Sequence, residues 1–185
     1  ITSGMDPRLN QSGCTLIVLA EWKAPVYQNA ITLITSSIRR NGPANIDSKI
    51  HHNNLINNIL AKIEANNAGA DDALMLDNNG FVAETNACNI FMIKNGMVFT
   101  PNADACLPGI TRKTVITLCQ QNNIPIHLKN ISLTEMYNAD QVFTTGTMGE
   151  LTAVKMIDGR AIINRSGTDL LQHINDLFRN LTLAL

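Results

Sequence analysis

The sequence predicts an α+β domain built on a mixed or antiparallel sheet, or a pseudo-barrel, with flanking helices. Three observations predict it. Short strand-like runs outnumber helical windows along the chain. Turn pairs such as Asn95-Gly96 and Asp158-Gly159 join several of these runs as hairpins. No low-complexity linker or repeat divides the 185 residues, which are enough to bury a full core.

The elements follow in order. Thr15–Ala20 (TLIVLA) is a short apolar run suited to a buried strand. Ile31–Ile38 is a second, rich in β-branched residues. Asn41-Gly42-Pro43 marks a turn. From Asn53 to Ala68, Leu55, Ile56, Ile59, Leu60 and Ile63 recur at three- and four-residue steps, which predicts a helix with Gly69 at its C-terminal cap. Ala73–Leu76 and Phe81–Glu84 form a hairpin through Asn78-Asn79-Gly80. Asn89–Ile93 and Met97–Thr100 form another through Asn95-Gly96. A helix over Thr111–Gln121, a strand over Ile124–Leu128, a helical turn over Leu133–Asn138 and a strand over Gln141–Thr145 follow. Leu151–Ile157 and Arg160–Ile163 make a third hairpin, and Thr168–Leu183 closes the chain as an amphipathic helix.

Composition excludes several classes. The apolar fraction is 45% and the charged fraction 16%, a globular balance. The net charge of −1 gives no electrostatic case for nucleic acid or an anionic membrane as partner. The apolar runs are too short to span a bilayer. Cys14, Cys88, Cys106 and Cys119 show no CxxC spacing, and the adjacent His51 and His52 point apart, so no metal site is expected. Scattered thiols of this kind predict a reduced, cytoplasmic protein. The chain begins at Ile1 rather than Met, which suggests a fragment. Its 23 asparagines fall everywhere and are read as composition.

Four segments carry residues suited to chemistry. Lys49 lies between a turn and a helix; a lysine there is usually a solvated surface group, and a reactive one needs burial to lower its pKa. Glu84 ends a hairpin strand, as a solvent-face carboxylate or the partner of a buried cation. Leu107-Pro108-Gly109-Ile110-Thr111-Arg112 sets a glycine turn before a helix, whose free N–H groups form an anion site that Thr111 either caps or completes. Thr144-Thr145-Gly146-Thr147, followed by Met148-Gly149-Glu150, is a hydroxyl-bearing loop at a strand end.

In order, these segments resemble the class IV aminotransferases, which are fold-type IV pyridoxal-phosphate (PLP) enzymes. The resemblance rests on Glu84-Thr85-Asn86-Ala87-Cys88-Asn89-Ile90-Phe91, on Val98-Phe99-Thr100-Pro101 and on Leu107-Pro108-Gly109-Ile110-Thr111-Arg112. Upstream, Asp47-Ser48-Lys49 and Leu60-Ala61-Lys62-Ile63-Glu64-Ala65 match the family's lysine segment. The resemblance implies the large domain of the D-amino acid aminotransferase-like fold over residues 31–185. Residues 1–30 would be the end of a small domain and a linker, with the rest of that domain missing. It also implies that Lys49 holds PLP as a Schiff base and that Glu84 pairs with the pyridine nitrogen. Leu107 would pack on the ring, and Ile110, Thr111 and Thr147 would hold the phosphate. Gly146 and Met148 would meet the substrate carboxylate. Arg39 or Arg40 would lie close to the cofactor, with Arg39 taken as the site residue, and Arg8 matches an arginine that traps a substrate carboxylate in D-amino acid aminotransferases. Asn86 replaces a small residue, Asn54 a tyrosine, Ser3 an arginine, and Asn10 a histidine.

The resemblance implies a homodimeric transaminase of branched-chain amino acids and 2-oxo acids. The alternatives within the family are aminodeoxychorismate lyase and D-amino acid aminotransferase. Outside it stands a non-catalytic remnant serving as a binding or dimerisation domain, motivated by the absent domain and the changes at Ser3 and Asn54.

Overall fold

The computed structural model describes residues 6–9, 13, 16–22, 26–27 and 29–183. Thr2-Ser3-Gly4, Asn10, Cys14 and Thr15 lie outside the described residues. Among the described residues nine strands form one mixed sheet: β1 (Ile31–Thr35), β2 (Asp72–Leu76), β3 (Val82–Thr85), β4 (Asn89–Lys94), β5 (Met97–Thr100), β6 (Ile126–Leu128), β7 (Gln141–Gly146), β8 (Glu150–Ile157) and β9 (Arg160–Ala161). The helices are α1 (Ile56–Asn67), α2 (Ile110–Gln121), the short α3 (Leu133–Tyr137) and α4 (Leu170–Leu183). The spatial order is β3-β2-β1-β8-β7-β4-β5-β6, with β9 paired to β8. β1 runs parallel to both β2 and β8, and β5 parallel to β6; the other pairs are antiparallel. The sheet curls into a half-barrel flanked by helices, as the expected α+β class requires.

The hairpins form where the turn residues allow them. Asn95 and Gly96 both adopt positive φ, 51° and 73°, which a two-residue turn with the right-handed twist of its strands needs. Asp158 and Gly159 repeat this at 51° and 74°. Asp158 also accepts hydrogen bonds from the Thr35 N–H, the Thr35 hydroxyl and the Tyr137 hydroxyl, which ties the third turn to the end of β1.

β4 shows why the sheet is covered on both faces. Ile90 and Met92 join the core on one side; Phe91 and Ile93 join the one on the other, with α2 and α4. Period-two alternation sends successive side chains to opposite faces, so a strand with an unbroken apolar run such as Ile90-Phe91-Met92-Ile93 must be buried twice. Phe91 stacks on its cross-strand partner Phe143, ring centroids 4.9 Å apart. Ile174 and Phe178, four residues apart on α4, and Val115, Leu118 and Cys119 on α2 close this side.

Three expectations are corrected. Residues 16–20 are not a buried strand: they have no regular structure, and Leu16, Ile17, Val18 and Leu19 are exposed, since no described strand pairs with them. β1 stops at Thr35 rather than Ile38, because Ser36 and Ser37 turn aside and donate their hydroxyls to Glu64 on α1. The apolar stripe of α1 is not its core face. Leu55, Ile56, Ile59, Leu60 and Ile63 are exposed, while Ala61 and Ala65 are fully buried against Ala73 and Met75. The small alanine side chains let the helix pack closely on β2. Among the described residues no helix is long and apolar enough to cross a membrane.

Enlarging that contact tests the docking. Ala65→Leu forces extra carbons into a filled space and is expected to cost about 1–3 kcal/mol. Ile59→Asn on the exposed stripe is expected to stay within about 0.5 kcal/mol. Urea melts of the two variants check the contrast.

Candidate active site

The site grows from the buried end of β3. Glu84 lies across from Met75 of β2 in the ladder, and its side chain is 6% exposed. Arg40 follows β1, and its N–H donates to the Leu76 carbonyl, which fixes its backbone at the end of β2. From there its Nε donates to Glu84 Oε1 at 2.6 Å, the arginine side chain being 7% exposed. The other oxygen accepts from Asn89 Nδ2 at 3.1 Å, and the Leu107 N–H lies 3.4 Å from both oxygens. A carboxylate offers about four acceptor positions. Three donors reach it through four contacts, two of them the long, shared ones of the Leu107 N–H.

Burial pushes the Glu84 carboxyl up to about 7, and the charge and hydrogen bond of Arg40 oppose the rise, with smaller help from the Leu107 N–H and Arg112. Burial is also the main reason that the Cys106 and Cys88 thiols stand at about 12 and about 11; the negative charge of Glu84 adds to it.

Gly109 brings the start of α2 against this carboxylate. A Cβ there would fall 2.3 Å from Asn89 Oδ1, so no larger residue fits without moving Asn89. The Lys113 N–H to Gly109 carbonyl bond is the first of the helix. The N–H groups of Ile110, Thr111 and Arg112 therefore stand outside the helical ladder, at the positive end of the helix dipole. Thr111 is buried. Ile110 is 79% exposed, so its side chain contributes nothing to a buried cup here. The Arg112 guanidinium turns to Thr100 Oγ1 and the Pro101 carbonyl, bracing the end of β5.

The end of β7 completes the cluster. Thr145 pairs in register with Asn89, and its hydroxyl is buried without a partner. Gly146 presses on Cys88, since a Cβ would lie 2.9 Å from that sulfur. Thr147 and Met148 are exposed in the tight turn to β8, where Glu150 adopts positive φ. A cavity of about 340 Å³ opens beneath this turn, lined by Tyr27, Asn86, Ala87, Cys88, Gly146 and Met148, among others.

Other candidates fall elsewhere. Lys49 follows Ser48, which is buried and donates to the Asn41 carbonyl, but Lys49 itself is exposed. The burial asked of a reactive lysine is not found, because its neighbours His51, Asn53 and Asn54 are polar and cover nothing. The arginine brought to Glu84 is Arg40, not Arg39, which is exposed and donates to the Ser36 carbonyl. Arg8 is exposed and forks onto Asp6, so a neighbouring carboxylate already answers its charge. Sequence reasoning missed Asn57 and Asn58, and named Thr145 only as part of its hydroxyl-bearing segment. A signal for the first two existed, since they sit at the same helical face as Ala61 and Ala65.

The family model for "Amino-transferase class IV" matches residues 2–157. The chain belongs to the class IV aminotransferases. It is 58% identical over 184 residues to "Branched-chain-amino-acid aminotransferase-like protein 2" of Arabidopsis thaliana, covering 98% of this chain and 33% of that protein. A branched-chain aminotransferase of Thermoproteus uzoniensis, solved with norvaline, superposes with a TM-score of 0.82 at 32% identity, over 87% of this chain and 54% of that one. The branched-chain aminotransferase of Thermobaculum terrenum, solved in its PLP form, gives a TM-score of 0.79 at 28% identity, over 84% and 52%. The chain thus spans about a third of the Arabidopsis protein and about half of each solved structure.

Removing Arg40 tests the electrostatics. A folded-state carboxyl at about 7 lies above its usual 4.5, so the Glu84 contribution to stability is full below about 4.5 and is lost as pH rises through about 7. Arg40→Met strips away the opposing cation and raises that carboxyl further. The variant is expected to lose about 3–5 kcal/mol at pH 8 and clearly less at pH 5.5, where Glu84 is protonated. Thermal melts at the two pH values check it.

Proposed function

We propose that the protein is a PLP-dependent aminotransferase that moves the amino group of branched-chain amino acids to 2-oxo acids, with this chain as its cofactor-binding part. Residues 31–185 would form that domain, and 1–30 the end of a smaller one with its linker. One observation carries the reading. A buried carboxylate held by Arg40, Asn89 and, through two long contacts, the Leu107 N–H lies close to a helix N-terminus with unused N–H groups. That pairing suits a protonated ring nitrogen on one side and a phosphate on the other. The unpartnered hydroxyl of Thr145, across the ladder from Asn89, suits a ligand oxygen.

When bound, PLP supplies an aldehyde that joins amines and a ring that takes up the electron pair left at the substrate Cα. The residues of this chain do the rest. Glu84 accepts the ring N–H and keeps that nitrogen protonated. Thr111, with the N–H groups of Ile110 and Thr111, holds the phosphate, and Thr147 adds a hydroxyl to it. Leu107, half-buried beside Glu84, flanks the ring. Lys49 would supply the amine that holds the cofactor, and would serve as base and then acid for the substrate Cα proton. The N–H groups of the Gly146–Met148 turn meet the substrate carboxylate. The cavity walls of Tyr27, Ala87, Cys88 and Met148 suit a branched apolar side chain. Arg8 would meet a substrate carboxylate by giving up its exposed pair with Asp6.

The protein works as a homodimer on this reading, which the exposed apolar stripe of α1 and the exposed run Leu16–Leu19 support. The free thiols of Cys88, Cys106 and Cys119 suit a cytoplasmic setting. A second reading, a non-catalytic binding or dimerisation domain, draws on the exposure of Lys49.

Three measurements decide. Borohydride reduction of the PLP-loaded protein is expected to label Lys49; a label on Lys62 or Lys94 instead, or none, favours the non-catalytic reading. Glu84→Gln removes a charge-assisted hydrogen bond of about 1.5–3 kcal/mol. Single-turnover reaction with L-leucine is then expected to slow at least ~10-fold while the label persists. Sedimentation of the full-length protein is expected to give a dimer, and a monomer at all concentrations would count against the assembly.

A further inference from the structure

The far side of the Arg40 guanidinium faces amides. Its Nη1 donates to Asn58 Oδ1 at 3.2 Å and to Asn57 Oδ1 at 3.4 Å, both in the first turn of α1. Asn58 Nδ2 in turn donates to the Asn86 carbonyl at 2.7 Å. Asn86 is anchored to β2, its Oδ1 accepting from the Ala73 N–H at 2.9 Å and its own N–H donating to the Ala73 carbonyl. Asn57 Nδ2 donates to the Arg39 carbonyl at 2.8 Å. One side chain on α1 therefore ties the guanidinium to the loop between β3 and β4, the loop that carries Glu84 at one end and Asn89 at the other.

We propose that Asn58 is a positioning residue that holds Arg40 on Glu84 and, being neutral, leaves Glu84 as the guanidinium's carboxylate partner. Among the described residues Glu84 is the one carboxylate in ion-pair reach of Arg40. An amide and a carboxylate have almost the same shape, and both accept a hydrogen bond from a guanidinium. They differ in charge. A carboxylate at position 58 would divide the attraction of Arg40 and add a negative charge beside a buried one. The amide satisfies the second face of the fork at no electrostatic cost to Glu84. It also makes the link to the Asn86 carbonyl, for which a carboxylate has no donor. Asn57 stands second in this role because its contact is longer and its other bond goes to Arg39.

The other charged or titratable groups near Glu84 are Arg112 on α2, Cys106 in the loop before α2, and Cys88 between β3 and β4. The two thiols are held protonated by burial, so Arg40 and Arg112 are the cations that act on the carboxylate.

The role rests on the reading that Glu84 serves the cofactor ring, and the test separates the two. First, the full-length protein without cofactor, labelled at its glutamate carboxyl carbons, is titrated by NMR. Asn58→Asp is expected to move the Glu84 midpoint up by roughly one pH unit. An unmoved midpoint overturns the proposal whatever the protein catalyses. Second, Asn58→Ala cuts the tie to Asn86 without adding charge, and PLP affinity by fluorescence quenching is expected to weaken about 5-fold. Weakened affinity supports the positioning role, and unchanged affinity overturns it. Where Asn58→Asp fails to fold, Asn57→Asp takes its place in the titration with the same sign expected, and an unmoved midpoint there counts equally against the proposal. If the titration behaves as expected and no variant or wild-type protein binds PLP, the cofactor reading fails and the electrostatic role of Asn58 stands.

Discussion

The buried ion pair between Arg40 and Glu84 organises the rest of this molecule. A carboxylate so deeply buried is costly unless every lone pair is answered, and removing either partner leaves a charge stranded in the core. The chain answers the carboxylate from three places, Arg40 after β1, Asn89 at the start of β4 and the Leu107 N–H before α2, and the guanidinium from a fourth, the amides of α1. Each of these segments must be in place for the pair to be satisfied. The pair is thus a constraint on the packing of α1, the sheet and α2 together, more than a source of stability in its own right.

The same constraint explains the small residues around it. Gly109 is needed because Asn89 occupies the space where a Cβ would stand, and Asn89 is there to reach Glu84 and the Leu107 carbonyl. Gly146 yields to Cys88 across the neighbouring strands in the same way. Ala61 and Ala65 let α1 approach β2 closely enough for Asn57 and Asn58 to meet Arg40. The N–H groups at the start of α2 and the Thr145 hydroxyl are polar groups near this pair that the described residues leave unanswered.

Two choices in the sequence illustrate how far pattern reading goes. The asparagines, read as composition, include Asn57 and Asn58, which meet the guanidinium, while Asn86 and Asn89 belong to the motif that begins at Glu84. The spacing of Asn57 and Asn58 puts them on the face of Ala61 and Ala65, but it does not name their partners, Arg40 and Asn86, which lie 17 to 28 residues away along the chain. The stripe of Leu55, Ile56, Ile59, Leu60 and Ile63 has the periodicity of a core face and is exposed. Periodicity reports that one side of a helix is apolar; it does not report what lies opposite.

The sequence by itself determined the class of fold, the hairpins and most of the motifs. Positive-φ turns at Asn95-Gly96 and Asp158-Gly159, alternation in β4, and the Gly109 turn before α2 are local physics, fixed within a few residues of chain. The motif from Glu84 to Phe91 likewise marked the carboxylate before any neighbour was known. Tertiary structure decided which arginine serves it, since Arg39 and Arg40 are adjacent and equally charged, and only the bond from the Arg40 N–H to the Leu76 carbonyl turns one of them inward. It also decided that Lys49 is exposed, that Arg8 is spent on Asp6, and that residues 16–20 lie outside the sheet. Burial and pairing belong to the space between segments, and that space is set by which strands lie side by side.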